Sequence, residues 1–324
     1  MTDVGQDASL DLPPRLDLPL FVDALLKPGE PAHQDRLDGL VAEARPATVS
    51  GALRYRDGLP LLDVDAEGSV TGAILTWLPG REEQGYAAVS AFASRHEHRW
   101  LSTDATVVDG PALPVNVLRG RRPRRGSSTE SYPEWSSVSE PAFSFALATV
   151  RRAAISDAAE PFAPAEHDDR AAWSLFYRLH SAYLLLWAAV ERFALLAFGP
   201  AEVPMGRLDR LNNDPGFRSC AVAAGVAPSP KGADSADPYK RVKADGAGAI
   251  YGWYALRAHL GHGLRSPTYD GILLRRALVE LHDTFRLHLA HRLPAVVARW
   301  ELLEPEARAE QWLLRPLVAP AGLG

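Results

Sequence analysis

The sequence contains a single cysteine, Cys220, among 324 residues. One cysteine excludes an intramolecular disulfide and a cysteine-based metal site. Lysine is also scarce, since arginine supplies most of the 35 basic residues, and 40 acidic residues bring the net charge to -5. A chain with this charge is not a general polyanion binder, so any contact with nucleic acid must come from a local basic patch.

The sequence also lacks a secretory signal and a clean membrane span. Residues 1–12 are polar and acidic, without a basic stretch followed by an apolar run. The longest apolar run, 183–198, is interrupted by Glu191 and Arg192, and charges in the middle of a bilayer span are costly. We therefore expect a core helix, no membrane contact and a cytoplasmic protein.

The pattern of the chain predicts an α+β protein with two domains. Residues 1–17 hold two prolines and scattered acids, which is typical of a flexible arm. Residues 18–126 show short strand-like segments between turns and predict a small, mixed, β-barrel-like domain. Residues 127–169, rich in Ser and Pro, predict a linker. Residues 170–324 show helical periodicity and predict an all-α helical bundle, with long helices at 171–198 and 270–291 and an irregular stretch at 201–245.

One stretch of the helical half, residues 253–263 (WYALRAHLGHG), combines an arginine and a histidine. Five residues of helix turn about 140° beyond a full circle, so Arg257 and His262 do not share a face of a continuous helix. We expect Gly261 and Gly263 to end the helix and to let the chain bend His262 toward Arg257 or toward a symmetry mate.

An arginine beside a histidine suits the cleavage of a phosphodiester, because imidazole moves protons near neutral pH and guanidinium stabilises charge on phosphate oxygens. The spacing alone is weak evidence, since roughly one such pair is expected by chance in a chain of this composition. A second pair does occur, Arg286 and His291, without a glycine between them. The alternative for the first pair is structural: Arg257 pairs with a helix carboxylate, and His262 caps a helix end.

The N-terminal half carries three segments of a known pattern: FVDALLKPG at 21–29, Val49-x-Gly51-x-Leu53-x-Tyr55, and GAIL at 72–75. They resemble the gamma-glutamylcyclotransferase-like fold. In that family a Tyr-Gly-Thr loop cradles the substrate, and a later carboxylate is the catalytic acid and base. The loop positions are here Asp23, Ala24 and Leu25, and the carboxylate position is Ala93.

Since alanine cannot transfer a proton, the resemblance implies a degenerate site on a scaffold that binds a ligand or only packs. Glu97, four residues after Ala93, is the alternative acid. It would make the protein a gamma-glutamyl-amine cyclotransferase.

The C-terminal half resembles the HEPN family, in the variants of bacterial defence and abortive-infection proteins. The resemblance rests on a long helix with the internal glutamate Glu191, an aromatic-rich approach, and the Arg257 to His262 motif. Many members are metal-independent ribonucleases that act as dimers. The resemblance therefore implies RNA cleavage by a homodimer without a cofactor, with Arg257 and His262 catalytic and Glu191 orienting. The family usually has a polar residue where this chain has Ala258, and His259 is the candidate replacement.

An arginine-rich segment follows the N-terminal domain and includes Arg121, Arg122, Arg124 and Arg125. Such a run suits contact with RNA phosphates, although most such runs are solvated linkers. The sequence thus predicts a cytoplasmic ribonuclease of a bacterial defence or toxin system, with the N-terminal domain sensing a small molecule or a protein. A non-catalytic interaction protein is the other alternative.

Overall fold

The computed structural model describes residues 10–56, 59–108, 110–121, 135–140, 142–143, 146–147, 150, 170–229, 242–262 and 267–301. The side chains of 259–262, 267–269 and 299–301 lie outside this description. The chain divides into two compact units. Unit 1 comprises Met1–Ser139 with Ala194–Arg207, and unit 2 comprises Glu140–Phe193 with Leu208–Gly324. The domain boundaries proposed from the sequence stay a prediction.

Unit 1 is built on seven strands of one sheet. They are β1 (Leu20–Val22), β2 (Val41–Ser50), β3 (Ala52–Arg56), β4 (Leu59–Asp63), β5 (Ser69–Trp77), β6 (His98–Val107) and β7 (Ala112–Gly120). Five of them follow the order β1-β5-β2-β6-β7, and parallel pairing of β1 with β7 closes a barrel. Strand β4 also pairs in parallel with β7, and β3 pairs with β4 outside the barrel. The α+β class and the N-terminal barrel predicted from the sequence are confirmed.

Two short helices accompany these strands: α1 (Pro31–Arg36) and α2 (Glu82–Phe92). Single turns of 3-10 helix follow β1 at Ala24–Leu26 and lie at Ser137–Ser139. Tyr86 of α2 lies between Trp77 and Trp100, with ring centroids 5.3 and 5.5 Å away. Edge contacts of this kind fix the helix against the barrel.

A buried polar network lies at the β1–β7 seam. Asn116 is 1% exposed, and its amide nitrogen donates to the carbonyl of Arg15 at 2.6 Å and to the hydroxyl of Tyr86 at 2.9 Å. The Tyr86 hydroxyl in turn donates to the carbonyl of Leu18 at 2.5 Å. The indole of Trp100 donates to the carbonyl of Asp11. Residues 10–17, predicted as part of a flexible arm, are thus hydrogen-bonded to the barrel.

Two glycines from the family pattern have steric roles in unit 1. Gly51, between β2 and β3, has a φ of 136°, which L-residues rarely adopt. Gly72 lies in β5, and a Cβ there would collide with the backbone oxygen of Val22 and the ring of Phe21. The close approach of β1 and β5 therefore depends on glycine at position 72.

From residue 170 on, the described residues include the helices α3 (Arg170–Phe198), α4 (Pro204–Asn213), α5 (Pro215–Ala223), α6 (Ala249–His262), α7 (Pro267–Arg292) and α8 (Pro294–Glu301). The predicted helices at 171–198 and 270–291 correspond to α3 and α7. Helix α3 is long and apolar enough to span a membrane by length and composition, yet 61% of its most apolar window is buried inside the structure. Such burial is typical of a core helix in a soluble protein.

The prediction of an irregular stretch at 201–245 is wrong for α4 and α5. Both helices begin with proline, which is pre-organised for the first helical position. Asp214 caps α5, because its carboxylate accepts from the backbone nitrogens of Gly216 and Phe217 at 2.7 and 3.2 Å. The Pro and Asp signals that suggested loops are here the start signals of helices.

The core of unit 2 is rich in aromatic rings. The ring of Phe193 lies 5.8 Å from that of Phe285 and 5.1 Å from the imidazole of His288. Phe217 contacts the other side of His288 at 5.3 Å. Burial lowers the pKa of His288 to about 4, so the imidazole is neutral at physiological pH.

Candidate functional site

Arg257 lies on α6 and forms an ion pair with Glu191 of α3. Its Nη2 is 3.3 Å from Oε1 of Glu191, and the two side chains are 36% and 43% exposed. No other hydrogen bond to this guanidinium occurs within the described residues. Since arginine has five donors, the remaining ones are available to an anion from solvent. The structure thus brings together two residues that sequence reasoning assigned to one site.

Buried contacts hold α6 in place behind this pair. The Tyr183 hydroxyl of α3 donates to the carbonyl of Trp253 at 2.7 Å, and burial raises the pKa of that tyrosine. The indole nitrogen of Trp253 lies 3.4 Å from Oε2 of Glu280. The ring of Tyr254 lies beneath Arg257, with Cζ of the arginine 5.7 Å from the ring centroid. The arginine is therefore presented at the surface by a rigidly anchored turn of helix.

The predicted helix break is wrong in its position. Helix α6 continues through Gly261 and ends at His262, because one glycine costs a helix only about 1 kcal/mol and its neighbours sustain it. Gly263 lies outside the described residues. In a continuous helix, positions 257 and 262 are about 140° apart around the axis, and positions 257 and 259 about 160° apart. Bending within α6 therefore does not join His262 to Arg257, and the side chains of His259 and His262 lie outside the described residues.

The arginine run predicted to bind RNA is described only at its start. Arg121 is exposed, and its Nε donates to the carbonyl of His98 at 3.2 Å. Arg122, Arg124 and Arg125 lie outside the described residues.

A pocket lies in unit 1 where β1 and β4 meet along one edge of β7. Strand β1 pairs with β7 at Asn116 and Val117, and β4 pairs with it at Arg119. The described lining is apolar except for two residues, Asp23 and His98. The cavity volume of this pocket is about 30 Å³, and all of its empty space, including open solvent at the mouth, is about 420 Å³.

Asp23 immediately follows β1 and precedes the 3-10 turn, but its carboxylate makes no capping hydrogen bond to that turn. Within the described residues, the side-chain carboxylate of Asp23 has no hydrogen bond or ion pair. Its side chain keeps some exposure to solvent. Burial raises the pKa of Asp23 to about 7, and the charge of Lys27 opposes that shift. The ammonium of Lys27 donates to the carbonyl of Trp135 at 2.9 Å, and it forms no ion pair with Asp23 within the described residues.

Ala24 has a φ of 38°, the one positive value at a non-glycine residue in the described part of the chain. This is the position that the sequence resemblance matches to the glycine of the cyclotransferase-like loop. An alanine there is strained, and strain of this kind is concentrated at functional sites.

The other predicted pocket residues differ in their placement. Leu25 lines the pocket with Asp23. Ala93 is fully buried at the end of α2, next to the lining residue Phe92. Glu97 is half-buried and does not line the pocket, whereas its neighbour His98 does. Sequence reasoning treated Asp23 as a lost loop position and missed it as an acid; an aspartate among six apolar neighbours was the available signal.

Among the described residues, no three His, Cys, Asp or Glu side chains are placed to hold a metal ion. No family model, curated protein or solved structure matches this chain.

Proposed function

We propose that this chain is a metal-independent endoribonuclease of the HEPN type that acts as a cytoplasmic homodimer in a bacterial defence or toxin system. The C-terminal helices form its catalytic bundle, and the cyclotransferase-like barrel is its sensor. The observation that carries the proposal is the partly exposed ion pair between Glu191 of α3 and Arg257 of α6, the helix that ends at His262.

The chemistry follows from the properties of these groups. Arg257 binds a phosphate oxygen through the donors that Glu191 leaves open, and it stabilises the added charge of the phosphorane. Glu191 is a positioning residue, since one contact to Nη2 fixes the plane of the guanidinium. His262 takes the proton of the 2′-hydroxyl, whose oxygen attacks the adjacent phosphorus. The P–O5′ bond breaks, and the protonated His262 returns a proton to the departing 5′-oxygen. The products are a 2′,3′-cyclic phosphate and a 5′-hydroxyl, and no metal takes part.

The continuous helix α6 determines how the two groups meet. Because positions 257 and 262 lie on different faces of α6, we place Arg257 of one copy beside His262 of the second copy. His259 contributes the polar character that Ala258 lacks. A two-fold axis near α6 gives two equivalent sites per dimer.

The test is RNA cleavage by the purified full-length chain in the presence of a chelator. The wild type should cut RNA and leave 2′,3′-cyclic phosphate ends, and Arg257→Ala or His262→Ala should abolish cleavage, a loss of about 10³-fold or more. The matched controls are Arg286→Ala and His291→Ala on α7, which have the same residue types and spacing and should retain activity. Cleavage that survives both Arg257→Ala and His262→Ala would reject the proposal.

The barrel is the proposed sensor because it keeps an open pocket while its catalytic carboxylate position is Ala93. A strained backbone at Ala24 beside an unpartnered acid at Asp23 supports a role in binding rather than in packing alone. The basic segment from Arg121 to Arg125 is the proposed contact for RNA phosphates.

A further inference from the structure

The pocket of unit 1 has one polar group without a partner. Its walls are supplied by residues such as Phe21, Leu25 and Phe92, and the carboxyl group of Asp23 lies among them. Ten of its twelve described lining residues are apolar. A carboxylate in such surroundings is costly unless it gains a charged or hydrogen-bonding partner.

The described residues of the protein do not supply that partner. Lys27 is the nearest cation that influences Asp23, but its ammonium hydrogen-bonds to the carbonyl of Trp135. The neighbouring acid Glu30 shows the contrast. Glu30 is also buried, yet it accepts from the Ser136 hydroxyl at 2.9 Å and from the Ser137 nitrogen at 3.2 and 3.3 Å. Glu30 therefore has hydrogen-bond donors within the protein, whereas the carboxylate of Asp23, which lines the pocket, has none among the described residues.

The size of the pocket limits what it can hold. The cavity volume of 30 Å³ has room for about one or two water-sized groups, which matches an ammonium head. The wider space toward the mouth is bordered by aliphatic and aromatic side chains and suits a short alkyl chain. An anion is disfavoured there, because it would face a carboxylate in apolar surroundings.

We propose that this pocket binds a small primary alkylammonium ion, with its head on the Asp23 carboxylate and its chain against the apolar wall. The ammonium has three N–H donors and donates a charge-assisted hydrogen bond to the carboxylate. His98 lines the same pocket and borders the bound head. An alkylammonium ion would be the ligand that the barrel senses, so the biological role of this site rests on the sensor function proposed above.

The experiment is calorimetric titration of the full-length protein with n-butylamine at neutral pH, without RNA. The wild type should bind n-butylamine more tightly than n-butanol or butyrate, which have the same chain with a neutral or an anionic head. Asp23→Asn should weaken n-butylamine binding about tenfold or more, the effect of losing one charge-assisted hydrogen bond. The matched control is Asp17→Asn, whose carboxylate pairs with Arg15 at the surface of the same unit, and it should bind as the wild type does.

Circular dichroism of Asp23→Asn should show a folded protein, and Asp23→Glu, which keeps the charge, should retain more binding than Asp23→Asn. No binding of n-butylamine to the wild type, equal binding of n-butanol, or undiminished binding to Asp23→Asn would each overturn the proposal. Failure here leaves the ribonuclease proposal untouched, because cleavage is measured on variants of Arg257 and His262. Loss of cleavage activity, in turn, has no bearing on calorimetry performed without RNA.

Discussion

Replacement of Asp23 by asparagine should change how the stability of the protein depends on pH. The carboxyl group has a pKa of about 7 in the folded protein, against 3.8 for its ordinary value. Below pH 3.8 it is protonated in both the folded and the unfolded state, and its burial adds no penalty. As the pH rises from 3.8 to 7, the unfolded state ionises while the folded state stays mostly protonated, so the folded state loses stability relative to it. At 1.36 kcal/mol for each pKa unit, the full loss is about 4 kcal/mol.

Urea unfolding of the wild type and of Asp23→Asn, from pH 4 to pH 8, measures this effect. Asparagine does not titrate, so the free-energy difference between the two proteins should shift in favour of Asp23→Asn by about 4 kcal/mol over this range. Asp17→Asn is the control, since its carboxylate is exposed and its pKa is lowered by Arg15. A difference between wild type and Asp23→Asn that stays constant with pH would refute the argument that Asp23 is buried without a partner. Saturating n-butylamine should reduce the shift.

Three further predictions concern other parts of the chain. Glu191→Gln should lower kcat of RNA cleavage about tenfold without raising KM, because glutamine positions Arg257 less well but removes a negative charge near the RNA. The free energy of unfolding should change by less than about 0.5 kcal/mol. A rise in KM at unchanged kcat would contradict a positioning role. Gly72→Ala should destabilise unit 1 by about 3 kcal/mol or more in urea unfolding, since the new Cβ collides with Val22 and Phe21. The control is Gly206→Ala in α4, whose Cβ meets only the flexible end of Glu202, and it should be neutral or stabilising. Equal effects of the two changes would show that β1 and β5 do not approach closely. His288→Leu should flatten the loss of stability on the acid side. The folded pKa of His288, about 4, lies below the ordinary 6.5, so the unfolded state gains a proton as the pH falls between these values. A difference in unfolding free energy between the wild type and His288→Leu that stays constant from pH 4 to pH 7 would exclude that role.

The strands and long helices could be predicted where one side of the segment is apolar. Helix α3 was evident from its apolar periodicity and from its stop at Gly199, whose φ is 88°. The first half of strand β2 has no such apolar side, because residues 42–46 are exposed or half-exposed and polar in part. The pairing that closes the barrel joins β1 to β7 across nearly a hundred residues, and no local pattern reports such a contact.

The candidate site was predicted in part. The sequence placed Arg257 and Glu191 on helices of the same half, but their pairing at 3.3 Å depends on the packing of α3 against α6, which periodicity does not fix. The break expected at Gly261 was wrong, since α6 continues to His262 and a single glycine costs a helix only about 1 kcal/mol. Asp23 was read as a damaged loop, since its significance depends on a pocket formed by strands β1, β4 and β7. The sequence thus predicts which residues have suitable chemistry, but it does not predict which of them lie next to each other in the folded chain.

The central claim is that Arg257 of one copy and His262 of another cleave RNA together, and subunit mixing tests it most directly. Arg257→Ala and His262→Ala, each inactive alone, are mixed in equal amounts under conditions that exchange subunits, and cleavage of RNA is measured with a chelator present. Half of the dimers are then mixed, and each holds one intact site of two, so activity should recover to about a quarter of the wild-type value. A mixture that stays as inactive as its components, although mixed dimers are present, would contradict the account.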